Sequence, residues 1–312
     1  MRGRLRLKLP PWAFLLLVGA VVAAVLFGID SYRHRFVRSN ADLVHLLPRG
    51  DSTVLFANFS LLRRAGMMDS LAGARPSEAP EYNQFVRETR FDYKKNIDAI
   101  AAAANDGRIF FVARGRFDWD ALRNYVRGQG GSCLRNTFCR IPTSQPGRWA
   151  SLVEIQPNVI GLAVGKDISA DQLLRGAGRR NGGVIPSAPV WVRISESLLK
   201  NPVDLPLPVR IFAITLQSAD SVLVSLDAAN VEDSAAFEIR LDAACPNRVT
   251  AATIRQQLEL QTKLLKLELS REHTQPNPAD LTGLLTSGSF QVVNRNVIGT
   301  WPVRKELLKT LQ

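Results

Sequence analysis

The side chains able to do acid–base chemistry are few and scattered. Asp118 and Asp120 lie two apart, and Glu81, Glu88 and Asp92 fall on one predicted helix. A pair of carboxylates can share general acid and base roles when their environments push their pKa values apart. Helix starts explain Asp118 and Asp120 equally well, because an Asp oxygen accepts the orphan N–H groups of a first turn. Glu81, Asp118 and Asp120 are therefore the first candidates for a hydrolase, and a non-catalytic chain is the primary expectation. The three histidines do not converge: His34 lies beside an apolar run, His45 in an expected stalk and His273 at a helix end. The sequence has no P-loop, no GxSxG elbow and no HExxH. Gly176-Ala177-Gly178-Arg179-Arg180-Asn181-Gly182 misses the dinucleotide spacing and follows a helix rather than a strand. No catalytic, cofactor-binding or metal-binding residue is assigned, and no cofactor is expected.

Cys133 and Cys139, six apart around a turn, are a candidate disulfide, which an oxidising compartment would permit. Cys245 is left over. No CxxC occurs, which weighs against zinc. Arg49-Gly50-Asp51 reads as a turn before a strand, and Asn58-Phe59-Ser60 as a sequon at a strand end.

These residues sit in a chain of 312, with 46% hydrophobic and 22% charged residues, the balance of a chain that folds around a core. The net charge of +12 invites a nucleic-acid reading. Its location argues otherwise. Arg2, Arg4, Arg6, Lys8, Arg33, Arg35 and Arg38 stand against Asp30 alone in residues 1–40, so half the excess brackets one apolar run. Pro10 to Ile29 carries no charge and is long enough to cross a ~30 Å hydrocarbon core. No small-x-small cleavage site follows it, which favours an uncleaved signal anchor. Four basic side chains precede the run and three follow it, so the positive-inside rule puts the amino terminus in the cytoplasm. The expectation is a single-pass bacterial inner-membrane protein with its body in the periplasm. The lipid bilayer is the expected partner of residues 10–29, an unidentified protein that of the body, and nucleic acid is not an expected partner.

The body shows a recurring unit, an apolar strand running into a Ser or Asp and then a short helix. Ser60-Leu61-Leu62-Arg63 and Ser197-Leu198-Leu199-Lys200 match at an offset of 137 residues, a hint of two related halves. Gln156-Pro157-Asn158 and Asn294-Arg295-Asn296 mark hairpins. A helix is expected from Pro80 to about Asn105, extended runs near 209–217, 220–228 and 235–243, and a long helix from Pro246 to about His273. On that last helix Ile254, Leu258 and Leu265 form one stripe, and Leu260, Leu264 and Leu267 an adjacent one, as for packing on a sheet. Glu259 and Lys263 form an i,i+4 pair on it.

The expected fold class is α+β: an N-terminal transmembrane helix followed by two packed α+β halves with mixed or antiparallel sheets. The expected boundaries are a basic tail at 1–9, the membrane helix at 10–29, a stalk at 30–48, and halves at 49–183 and 184–312. Leu47-Pro48, Val54-Leu55-Phe56-Ala57-Asn58-Phe59-Ser60-Leu61-Leu62, Gly288-Ser289-Phe290-Gln291-Val292-Val293 and Val297-Ile298-Gly299-Thr300-Trp301-Pro302 carry a resemblance. The body resembles uncharacterised bacterial single-pass membrane-anchored proteins with an α+β extracytoplasmic domain of unknown function. That resemblance implies a setting and no mechanism. The function expected is a periplasmic interaction or assembly domain, and the alternative is a ligand-binding protein or hydrolase using a cleft between the halves.

Overall fold

The computed structural model describes residues 37, 39–48, 50–66, 68, 80–105, 107–134, 137–143, 145–166, 169–170, 172–173, 185–202, 207–228, 235–271, 276–277, 280–304 and 307. Twelve strands form one sheet: β1 (Thr53–Ala57), β2 (Ile97–Asn105), β3 (Arg108–Gly115), β4 (Ser132–Leu134), β5 (Phe138–Pro142), β6 (Trp149–Gln156), β7 (Val159–Gly165), β8 (Val190–Ile194), β9 (Ser221–Ala228), β10 (Ala235–Ala244), β11 (Ser289–Val293) and β12 (Asn296–Arg304). Their order is β11-β12-β10-β9-β8-β1-β2-β3-β7-β6-β5-β4, and every neighbouring pair is antiparallel. Nine α-helices accompany them among the described residues: α1 (Asn40–Leu46), α2 (Phe59–Arg64), α3 (Pro80–Thr89), α4 (Tyr93–Asn96), α5 (Trp119–Gly128), α6 (Glu196–Lys200), α7 (Leu207–Thr215), α8 (Arg248–Arg271) and α9 (Leu281–Thr286).

This corrects the expected fold class. The strands of the two halves do not form separate, mixed sheets packed together; β1 and β8 join them edge to edge into one antiparallel sheet. The expected basic tail and membrane helix over 10–29 lie outside the described residues. Among the described residues no helix is long and apolar enough to cross a membrane.

The offset of 137 residues has a geometric counterpart. It maps Leu55 onto Val192, and those two are cross-strand partners in the β1–β8 pair. It also maps Asn58 onto Ser195, the caps of α2 and α6, whose side chains accept the N–H groups of Leu61 and Leu198. The strand order is also symmetric about the β1–β8 pair, with β2, β3, β7 and β6 on one side answering β9, β10, β12 and β11 on the other. Both sets repeat strand, short helix, two strands, helix and closing hairpin, with β4 and β5 extra in the first.

One row of residues crosses nine of the twelve strands, from β7 to β11: Gly161, Val112, Ala101, Phe56, Trp191, Ser225, Arg240, Thr300 and Ser289. It is apolar and buried from Gly161 to Trp191, then polar, with Arg240 and Ser289 exposed. On that face α1 brings Leu43 and Leu46 against Ala99, Ala101, Ala103, Val112 and Trp191. On the opposite face α8 brings Ala251, Ile254 and Leu258 against Val222, Leu241, Ala243, Val297 and Trp301. The buried face thus changes sides between the two strand sets.

The details explain themselves locally. Residues 39–48 are not a stalk, because Leu43, Leu46 and Leu47 are core residues. Ser39 and Asp42 exchange hydrogen bonds that cap α1 from both sides. The alanine run Ala99–Ala104, expected as helix, is strand β2. A run of one residue type carries no period, and pairing with β1 and β3 on both sides overrides helix propensity. Residues 209–215, expected as extended, belong to α7, where the Gln261 amide donates to the Thr215 hydroxyl (2.6 Å). The two predicted hairpins are β6–β7 and β11–β12, and Asn294 takes the left-handed conformation (φ 58°) that a two-residue turn asks of it.

Candidate functional site

The carboxylates proposed for catalysis are occupied structurally. Asp118 accepts the Ala121 N–H at 3.0 Å and caps α5. Asp120, in the first turn of that helix, pairs with Arg123. Glu81 lies on α3, and its side chain falls outside what the structure describes. Glu88 accepts from the Gln84 amide (2.8 Å). Asp92 caps α4 and accepts the Tyr82 hydroxyl at 3.2 Å. Burial first, then the Asp92 charge, push the Tyr82 phenol up to about 12, so it stays protonated. His45 sits in the last turn of α1, while His34 and His273 lie outside the described residues. Among the described residues no three His, Cys, Asp or Glu side chains are placed to hold a metal ion.

Cys133 and Cys139 are directly opposite on β4 and β5, with Cα atoms 4.0 Å apart, and their sulfurs are bonded. Cys245 is buried and free, and its burial pushes the thiol up, away from nucleophilic thiolate. The basic residues Arg2, Arg4, Arg6, Lys8, Arg33, Arg35 and Arg38 lie outside the described residues.

Sequence reasoning missed the role of Asp51. Its two carboxylate oxygens accept the Glu196 and Ser197 N–H groups, each at 2.8 Å, so a residue ahead of β1 closes the start of α6 from 145 residues away. Burial works the Asp51 carboxyl upward, but the Ser197 and Glu196 donors outweigh it and hold it below its ordinary value. Beside it the Thr53 and Ser195 hydroxyls meet at 3.0 Å. These contacts tie the two strand sets at their seam.

The surface least like a solvated face lies on α7 and α8. Ile254 and Leu258 pack on the sheet as expected, but Leu260, Leu264 and Leu267 are 55%, 53% and 57% exposed. At i, i+4 and i+7 they form one stripe on the outer side of α8. Arg255, not Lys263, pairs with Glu259 (2.6 Å). The Gln261 amide bonds to α7, which brings the exposed Ile211 and Ile214 beside this stripe. Five large aliphatic side chains are thus exposed on two hydrogen-bonded helices, and we call this surface the apolar ridge. Large exposed apolar patches are uncommon on monomeric soluble domains. A sheet-packing helix needs only one stripe, and the second apolar stripe on α8 was the signal for the ridge.

No family model matches the chain, and no curated protein matches it. The chain is similar to solved structures of TP0453. Against its crystal form I the identity is 11% and the TM-score 0.46, covering 88% of this chain and 98% of that one. Against its crystal form IV the values are 10% and 0.47, covering 86% and 95%.

Proposed function

We propose that this chain is a non-catalytic interaction or assembly protein. Residues 10–29 meet the bilayer of a bacterial inner membrane, and the body stands in the periplasm. The observation that carries the reading is the apolar ridge of Ile211, Ile214, Leu260, Leu264 and Leu267. It is the kind of surface a protein partner covers, with large aliphatic side chains at helical spacing. The bonded Cys133–Cys139 pair fits an oxidising compartment. The seam between the strand sets, where the alternative reading would have a cleft, is a hydrogen-bonded strand pair, and Asp118 and Asp120 serve α5.

The test replaces Leu260 and Leu264 together with Asp in the full-length chain. Both side chains face solvent, so the melting temperature stays within the range of ordinary surface substitutions. The proteins that co-purify with the wild-type chain at native expression are lost. An unchanged set of co-purifying proteins contradicts the reading. An alkaline phosphatase fused to the carboxyl terminus is active if the body is periplasmic, and inactive otherwise.

A further inference from the structure

The sheet ends in two different ways. At one end β4 is three residues long and is stapled to β5 by the Cys133–Cys139 disulfide. Short and bridged edges resist pairing with another chain. At the other end β11 is Ser289-Phe290-Gln291-Val292-Val293, five residues with no charge and no proline. Its own residues include neither the charge nor the proline that guards other edges. Among the described residues no strand pairs with its outer side.

The register with β12 says which groups that outer side presents. Val293 and Asn296 flank the two-residue turn, and Gln291 and Ser289 follow Val293 in alternation opposite Ile298 and Thr300. In an antiparallel ladder the pair that closes a two-residue turn is hydrogen-bonded, and bonded pairs alternate. Val293, Gln291 and Ser289 therefore turn their N–H and C=O groups inward to β12. Phe290 and Val292 turn theirs outward.

We infer that β11 is a homodimerisation edge, pairing antiparallel with β11 of a second copy about a two-fold axis at Gln291. The register is self-complementary. Phe290 stands opposite Val292 of the other copy, and each pair exchanges its outward N–H and C=O groups in both directions. Phe290 and Val292 lie on the face that α8 covers, where both already pack against the core, so the joint continues an apolar layer. Gln291 stands opposite Gln291 on the other face, where amide can meet amide without a charge clash. A shift by one residue would put Phe290 and Val292 out of step and leave outward groups unpaired. The fold performs the same operation on itself: at its centre β1 and β8 join two related strand sets antiparallel about Leu55 and Val192. This inference does not depend on the α7–α8 ridge.

The experiment is oxidative cross-linking of the full-length chain carrying Gln291→Cys. Directly opposed side chains on an antiparallel pair have Cβ atoms about 4.5–5.5 Å apart, within reach of a disulfide after small adjustment. Copper phenanthroline converts Q291C to a reducible dimer at twice 34.4 kDa as the main product. Gln257→Cys, also exposed but on α8, does not. Dimer formation by Q291C no greater than by Q257C overturns the inference. Gln291→Lys, which opposes two like charges at the axis, shifts the chain from dimer to monomer in sedimentation with its melting temperature unchanged. A wild-type chain that stays monomeric up to about 100 µM, where an interface with a dissociation constant of about 1 µM would be largely dimeric, overturns it as well. So does an undiminished dimer in Q291K.

Discussion

The two strand sets share a connectivity and a mirrored strand order, yet they bury opposite faces of the same sheet. In the first set the alanines of β2 and Val112 of β3 lie under α1. In the second set the equivalent face carries Ser225, Arg240 and Thr300, and the other face is buried under α8. Connectivity therefore does not decide which face becomes core. The two sets differ in their covering helices. α8, between β10 and β11, has 24 residues and spans its sheet face, whereas α5, between β3 and β4, has ten and reaches only the edge hairpin. The first set is covered instead by α1, which arrives from outside the repeat. The helix that covers the second set has apolar side chains to spare, and these form the ridge.

The largest effect separates two residues of one sheet row. Trp191→Ala removes a fully buried ring stacked on Phe56 at 5.7 Å between centroids, and is expected to cost about 3–5 kcal/mol in chemical denaturation. Arg240→Ala, two positions along the same row, stays within about 0.5 kcal/mol. Equal effects would mean that the buried face does not change sides. The same contrast runs around α8. Leu258→Ala costs about 2–5 kcal/mol, and Leu264→Ala, six residues on and 53% exposed, changes stability little. At the guarded edge, replacing Cys133 and Cys139 with Ser costs about 2 kcal/mol in the loop-closure account, read as a fall in melting temperature. Its effect stays local, with faster amide exchange in β4 and β5 and none in β11.

At the seam a loss smaller than those at Trp191, Leu258 and the disulfide is expected. Asp51→Ala removes the acceptor of two α6 N–H groups and costs about 1 kcal/mol, as for loss of an N-cap. Because the folded carboxyl is held below its ordinary value, its contribution is fully present above about pH 3.9 and is lost as pH falls through the lower folded value. Asp51→Asn therefore flattens part of the acid limb of the stability profile and leaves neutral-pH stability closest to wild type.

Much of the local architecture was legible in the sequence, because hairpins, caps and the strand–helix repeat depend on neighbours along the chain. Asn294 and the β6–β7 turn could be read directly, and the cysteine pair, though not its bond, was in view. What could not be read depends on distant partners. The alanine run of β2 has no period to show, and the β-branched residues of α7 favour strand until Gln261 holds that segment to α8. Whether Leu258 or Leu264 faces the sheet depends on where the helix lies, since both belong to one broad apolar surface. The role of Asp51 was hidden because its partners are 145 and 146 residues away. The carboxylates considered for catalysis illustrate the converse, since Asp118 and Asp120 do what their helix-start positions announce.

The most direct measurement places a photo-cross-linking amino acid at position 264 and, separately, at position 240 in the full-length chain in living cells. Both sites are exposed, one on the apolar ridge and one on the polar face of the same strand set. A discrete protein adduct is expected from position 264 and none from position 240. Adducts from position 240 alone, or from neither, would contradict it.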